Sequence, residues 1–271
     1  MYKEFFGLKE KPFNVTSDPN FLFLSRVHKE AFSHLLYGIK ERKGFLEITG
    51  EVGAGKTTLC RALLSQLDRN TKSAFVFNST LPELQLLRCI LEDFGIFVER
   101  NNKVSLLRQL NNFLIAELSK GNNVILIIDE AQNLKTSVLE EIRMLSNLET
   151  DKEKLFQIIL VGQPELQNKI NSPRLTQLKQ RIAVRFHITA LEKDEVSEYI
   201  YHRLSVAGSN GQIRFPEDAL DRIFGFSGGI PRLINMVCDK SLLAAYAMEA
   251  RDISLPIVDR SIQELEGVIK R

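Results

Sequence analysis

Apolar residues along this chain recur with two different periods, and the order in which those periods alternate outlines the fold. Residues 1–26 follow neither. Rings and turn formers succeed one another there (Pro12, Phe13, Asp18, Pro19, Phe21, Phe23), which predicts an extended segment pinned to the body by its aromatic side chains. From 27 to 42, Ala31, Leu35, Leu36 and Ile39 fall at helical spacing. Beyond Gly44, short apolar runs take turns with helical patterns. Strands are expected at 44–49, 73–78, 124–129, 157–162 and 183–188, and helices at 56–67, 82–94, 103–119, 136–148 and 165–180. The run 124–128 is apolar throughout, as expected of a strand covered on both faces. Five strands joined mostly through helices predict right-handed crossovers and a parallel sheet with helices on both sides. The alternation stops near residue 190. Only helical patterns follow, at 192–207, 216–226, 231–248 and 256–268, punctuated by Gly208, Gly211 and the pair Gly228–Gly229. A change of that kind without a flexible linker predicts an α/β core over 1–190, amino-terminal segment included, and a packed helical module over 191–271.

Composition alters this outline little. At 271 residues, 44% hydrophobic and 26% charged, the chain is an ordinary soluble globular sequence with room for a large core. Its 36 Lys and Arg against 34 Asp and Glu leave a net charge of +2, so bulk charge gives no reason to expect a nucleic-acid binder. No apolar run at the amino end resembles a signal peptide, and the run 124–128 is far too short to cross a bilayer. Cys60, Cys89 and Cys238 have neither paired nor metal-like spacing and read as thiols of a reducing compartment, so a cytoplasmic protein is expected.

The chemistry is concentrated at the ends of the expected strands. Gly50, Glu51, Val52, Gly53, Ala54, Gly55, Lys56 and Thr57 fit the pattern G-x-x-x-x-G-K-[ST] between a strand and a helix, with Thr58 following in the first turn. Glycines in such a loop let backbone N–H groups turn around phosphate oxygens, and the helix amino terminus adds partial positive charge. Lys56 is expected to reach the β- and γ-phosphates of ATP, and Thr57 to ligate Mg²⁺. Asp129 and Glu130 close the apolar strand, where ligand chemistry of an open α/β sheet belongs. Asp129 is expected in the Mg²⁺ shell; Glu130 is expected to orient or deprotonate the attacking water. Gln163, at the end of the next strand, could hydrogen-bond the γ-phosphate or that water. Arg181, between the last core helix and the last strand, is placed to act as an arginine finger on a neighbouring subunit, with Arg174 and Arg185 as rivals. Arg232 follows Gly228–Gly229–Ile230–Pro231 at the start of a helix. A cation there does not suit the helix dipole, which favours a role toward phosphate.

These residues resemble those of the AAA+ ATPases. The closer resemblance is to the ATPase domain of the general secretion pathway protein A family, whose relatives include pilus-assembly ATPases and an ATPase of exosortase-linked exopolysaccharide loci. It is carried by FFGLKEKPFNVTSDPNFLFLSRVHKEAFSHLLYGI (5–39), GEVGAGKTTLCRALL (50–64), IIDEAQNL (127–134), LVGQPEL (160–166), LKQRIAVRFHITAL (178–191) and GGIPRLINMVCDKSLLAAY (228–246). The resemblance implies an AAA+ core followed by an all-helical lid, binding and hydrolysis of ATP with Mg²⁺, Gln163 at the sensor-1 position, Arg232 at sensor 2, and Arg181 as the finger. It implies that the amino-terminal segment closes over adenine, with Phe13 and Phe21 as candidate rings. It implies self-assembly into a ring or filament, and envelope secretion, pilus or polysaccharide-export proteins as partners at the inner face of the cytoplasmic membrane. The secretion family continues into a membrane span and a periplasmic peptidoglycan-binding part, whereas this sequence stops at Arg271; it is expected to be either a stand-alone relative or an excised domain, and neither anchoring nor peptidoglycan binding is carried over. Two other roles fit the same motifs: a DNA-associated regulator of transposition or replication, and a slow nucleotide-gated scaffold.

Overall fold

The computed structural model describes residues 2–77, 80–148 and 154–267. A first short helix, α1 (Tyr2–Phe5), is followed by α2 (Arg26–Lys40), and then the α/β alternation begins. It runs β1 (Phe45–Gly50), α3 (Lys56–Gln66), β2 (Thr71–Val76), α4 (Glu83–Asp93), α5 (Lys103–Ser119), β3 (Asn123–Ile128), α6 (Thr136–Leu145), β4 (Gln157–Gly162), α7 (Pro164–Ile170), α8 (Thr176–Arg181) and β5 (Ile182–Ile188). Four helices follow among the described residues: α9 (Lys193–Val206), α10 (Glu217–Ser227), α11 (Pro231–Ala247) and α12 (Leu255–Leu265). The end of the strand expected at 73–78, at Asn78, and of the helix expected at 256–268, at Val268, lie outside the described residues.

The strands form one parallel sheet in the order β2-β3-β4-β1-β5, so the chain crosses over between most of its neighbours. β1 and β4 are buried along their whole length, as central strands covered on both faces are, and they take Glu47, Thr49 and Gln157 into the interior with their apolar residues. Because all five run the same way, the carboxyl ends of β1, β3 and β4 share one edge of the sheet. Gly50, Ile128 and Gly162 stand there, and the phosphate-loop motif, Asp129–Glu130 and Gln163 leave from these ends.

The expected helix over 165–180 is interrupted. α7 stops at Ile170, a short 3-10 turn takes Pro173–Leu175, and α8 resumes at Thr176. Pro173 explains the break, since the residue before a proline is pushed out of the helical region and Ser172 has ψ 149°.

Two compact units emerge. The described residues of 29–50 and 59–188 form the α/β unit; those of 1–28, 51–58 and 189–271 form the other. The amino-terminal segment, expected with the α/β core, therefore groups with the helical module. Its rings supply the reason: Phe6, Phe13 and Phe21 are buried in the same apolar cluster as Ile200, Ile234 and Val258. Nor is the segment simply extended, since it contains α1 and a 3-10 turn at Pro19–Phe21. Arg203 on α9 secures it, donating from Nε to the Pro12 carbonyl at 2.5 Å and from Nη2 to the Asn14 carbonyl at 3.0 Å, with its guanidinium over the Phe21 ring. Phe13 and Phe21, the candidate adenine contacts, are thus engaged in packing.

Candidate nucleotide site

In the unit that contains the helical module, the loop 51–55 leads into α3, whose first residue is Lys56. Gly53 and Gly55 have φ of +84° and +94°, values that a residue with a Cβ adopts only under strain. Gly53 is also pressed from outside. A Cβ there would stand 2.4 Å from Cβ of Arg232, whose aliphatic stem runs along the loop. The Arg232 backbone N–H donates to the Gly53 carbonyl at 3.2 Å, so the lid residue singled out from the sequence is tied to the loop through its main chain. Lys56 is buried and its ammonium donates to the Glu51 carbonyl at 2.8 Å; Thr57 and Thr58 are half-buried behind it.

His28 supports this loop from below its chain. Its Nε2 lies 2.9 Å from the Ala54 carbonyl and its Nδ1 2.7 Å from the Ser25 hydroxyl. The Ala54 carbonyl requires a proton on Nε2, and burial, which disfavours the charged ring, leaves Nδ1 to accept from the Ser25 hydroxyl. Burial pushes the ring's pKa below its ordinary value, opposed by the Ala54 hydrogen bond and the nearby Glu195 carboxylate.

In the α/β unit, Asp129 is buried at the end of β3 and its Oδ1 accepts the Glu130 N–H at 2.9 Å. Glu130 takes a left-handed backbone, φ 51° and ψ 36°, uncommon for a residue with a side chain. Its Oε2 accepts from two amides: Gln163 Nε2 at 3.1 Å and Gln132 Nε2 at 2.5 Å. The structure therefore brings Glu130 and Gln163 together as neighbours on adjacent strands. It adds Gln132, which sequence reasoning had not singled out although it follows Glu130 by two positions.

The three arginines proposed as fingers differ. Arg181, at the end of α8, donates from Nη1 to the Ser146 hydroxyl at 2.7 Å. Arg185 on β5 lies 3.4 Å from the buried Glu47 carboxylate and donates to the Lys179 carbonyl at 3.1 Å. Arg174 is exposed in the 3-10 turn. Burial raises the Glu47 pKa, an effect reduced by the Arg185 charge.

Each unit carries donors of a type suited to a Mg²⁺–nucleotide. In one, a positive-φ loop at a helix amino terminus with a buried lysine suits phosphate; in the other, the buried Asp129 carboxylate is a hard oxygen donor of the kind Mg²⁺ takes. Among the described residues no cluster of three or more His, Cys, Asp or Glu could hold a metal by itself.

Comparison with known proteins identifies the family. A family model described as an AAA domain matches residues 39–170. The general secretion pathway protein A of Aeromonas hydrophila is 43% identical over 269 residues, 99% of this chain. The chain belongs to the AAA+ ATPases of the general secretion pathway protein A type. It spans 49% of that relative's length. Among solved structures, the Aeropyrum pernix ORC2 protein in its ADPNP–ADP complexes matches with a TM-score of 0.73 at 19% identity, covering 94% of this chain and 72% of that one. The RuvB Holliday junction branch migration motor of Thermotoga maritima matches with a TM-score of 0.60 at 19% identity, covering 88% of this chain and 68% of that one. Both share the architecture of this AAA+ ATPase: a parallel α/β sheet followed by helices. No helix among the described residues is long and apolar enough to cross a membrane.

Proposed function

We propose that this AAA+ ATPase binds ATP with Mg²⁺, hydrolyses it, and couples its nucleotide state to self-assembly and to the work of a bacterial envelope machine. In this reading the loop Gly50–Thr58 holds the phosphates, with Lys56 on the β- and γ-phosphates. Thr57 and Asp129 would hold Mg²⁺, which when bound neutralises phosphate charge and polarises the terminal phosphoryl group. Glu130 orients the attacking water and accepts its proton, Gln163 aligns that water against the γ-phosphate, and Arg232 reports the nucleotide to the lid. Arg181 completes the site of a neighbouring copy. The observation that carries the reading is the shared carboxyl edge of the sheet, where the phosphate loop leaves β1, Asp129–Glu130 leave β3 and Gln163 leaves β4.

The envelope role, in secretion, pilus or polysaccharide export, is proposed from the similarity to the general secretion relative, and work at the inner face of the cytoplasmic membrane through partner proteins is part of the same proposal. The structural neighbours are an ORC2 protein and a branch migration motor, but at 19% identity they support the fold alone, and the +2 net charge offers no general attraction for nucleic acid. Steady-state ATPase assays and nucleotide-binding titrations test the proposal. Lys56→Ala is expected to abolish binding and turnover. Glu130→Gln is expected to keep ATP bound while losing turnover by about 100-fold or more. Wild-type turnover in Glu130→Gln would remove Glu130 from the chemistry.

A further inference from the structure

We propose that Gln132 is a positioning residue that holds Glu130 and Gln163 as one unit, so that the general base is aligned through the amide of the adjacent strand. The inference rests on the assignment of Glu130 as base. Gln132 bridges the other two with both ends of its amide: its Nε2 donates to Glu130 Oε2, and its Oε1 accepts the backbone N–H of Gln163 at 3.1 Å. Gln163 closes the triangle by donating its own amide to the same Glu130 oxygen.

Three further features show that this bridge is built in. The Gln132 main chain is fixed by Lys169 of α7, whose ammonium donates to the Gln132 carbonyl and, at 2.8 Å, to that of Leu134. Room for the carboxamide is made by Gly162, the last residue of β4. This glycine has no positive φ, and its need is spatial: a Cβ would stand 2.7 Å from Gln132 Oε1 and 2.9 Å from Leu166 Cδ2. Finally, Glu130 holds a left-handed backbone, uncommon in a residue with a Cβ, directly before the turn that carries Gln132. Two amide donors on one carboxylate oxygen restrict the rotation of that carboxylate. A base aligned in this way depends on Gln132 for its geometry and not for its chemistry.

The test is steady-state ATP hydrolysis by the full chain for Gln132→Leu, Gln163→Leu, the double variant and Gly162→Ala, with Glu130→Gln as reference. Gln132→Leu is expected to lower kcat by about 10-fold while KM and the ATP dissociation constant stay within about twofold, as for lost alignment of a base. The double variant is expected to lose no more than the worse single one, because the two amides act through one carboxylate. Gly162→Ala, which displaces the Gln132 carboxamide without altering any of the three side chains, is expected to show the same pattern. Thermal melting of each variant monitors folding, and a structural role alone would lower melting temperature and nucleotide affinity together. Unchanged kcat in Gln132→Leu, or losses that multiply in the double variant, would overturn the inference while Glu130→Gln remained inactive. Full turnover in Glu130→Gln would overturn the base assignment and the inference with it.

Discussion

His28 is a buried histidine hydrogen-bonded on both ring nitrogens, and burial together with the Ala54 carbonyl favours its neutral form. Its neutral ring satisfies the Ala54 carbonyl of the phosphate loop, so its loss would leave that carbonyl without its donor and the loop less preordered for phosphate. His28→Ala is expected to weaken ATP binding by about 10-fold, measured by titration at pH 7.5, and His28→Gln, whose amide can donate in the same place, to recover most of it. Folding lowers the ring's pKa, so the unfolded chain takes up the proton first. The His28 contribution to stability is therefore complete above the ordinary value of 6.5 and is lost as pH falls through the depressed folded value. The melting temperature of the wild type should fall more steeply below pH 6.5 than that of His28→Gln. Parallel profiles would show that the ring is not the titrating group. Residues of this kind are where the sequence was hardest to read. Lys56, Thr57, Asp129 and Glu130 stand out as candidates because their motifs are contiguous and follow the ends of strands. Gln132 and His28 act through hydrogen bonds to groups 31 and 26 positions away, and nothing local in the sequence announces such a partner.

Elements were legible wherever the local signals agreed with one another. α5 occupies the range read from its periodicity, with Leu106, Leu110 and Leu114 buried at a spacing of four and Asn102 accepting the Ser105 N–H as its cap. The stretch 165–180 was misread as one helix because its apolar spacing persists across Pro173, where backbone geometry overrides periodicity. Helix α9 holds a subtler feature. Glu192 and Glu195 form a capping box, with Glu195 Oε2 accepting the Glu192 N–H at 3.1 Å. The other oxygen of Glu195 accepts the Arg26 N–H at 2.8 Å, so one buried carboxylate serves the amino ends of both α9 and α2. Glu195→Ala removes both acceptors at once and is expected to cost about 2 kcal/mol, roughly double an ordinary cap. Glu195→Gln keeps one carbonyl oxygen and should lose about half as much. Chemical denaturation of the two variants checks the ratio, and equal losses would mean that the negative charge, not the pair of hydrogen bonds, matters.

For the molecule as a whole, the order of secondary structure was readable but the grouping of its parts was not. A linear boundary near residue 190 follows the change of periodicity, whereas burial follows rings: Phe13 is 1% exposed in a cluster made chiefly by the last four helices. Phe13→Ala is therefore expected to destabilise the helical module by about 3–5 kcal/mol, seen as early unfolding in denaturant. Assembly depends on a different argument. The Arg181 guanidinium bonds a serine hydroxyl and no carboxylate within the described contacts, while Arg185 already faces the buried Glu47, whose desolvated charge would be stranded if Arg185 left. Exchanging a neutral partner for a neighbour's phosphate costs less than abandoning a buried carboxylate, which favours Arg181 over Arg185 as the finger. A finger acting in trans makes turnover per chain rise with protein concentration, because only assembled copies have a complete site. With ATP, Glu130→Gln is expected to sediment as an assembly larger than with ADP, and wild-type specific activity to climb over the same concentration range. Arg181→Ala should hold specific activity low and flat at every concentration, while Arg185→Ala keeps the concentration dependence. If instead Arg185→Ala flattens the curve and Arg181→Ala does not, the finger is on the edge strand and the Glu47 ion pair is broken on assembly. Concentration-independent turnover by a wild-type monomer would place neither arginine in a neighbour's site.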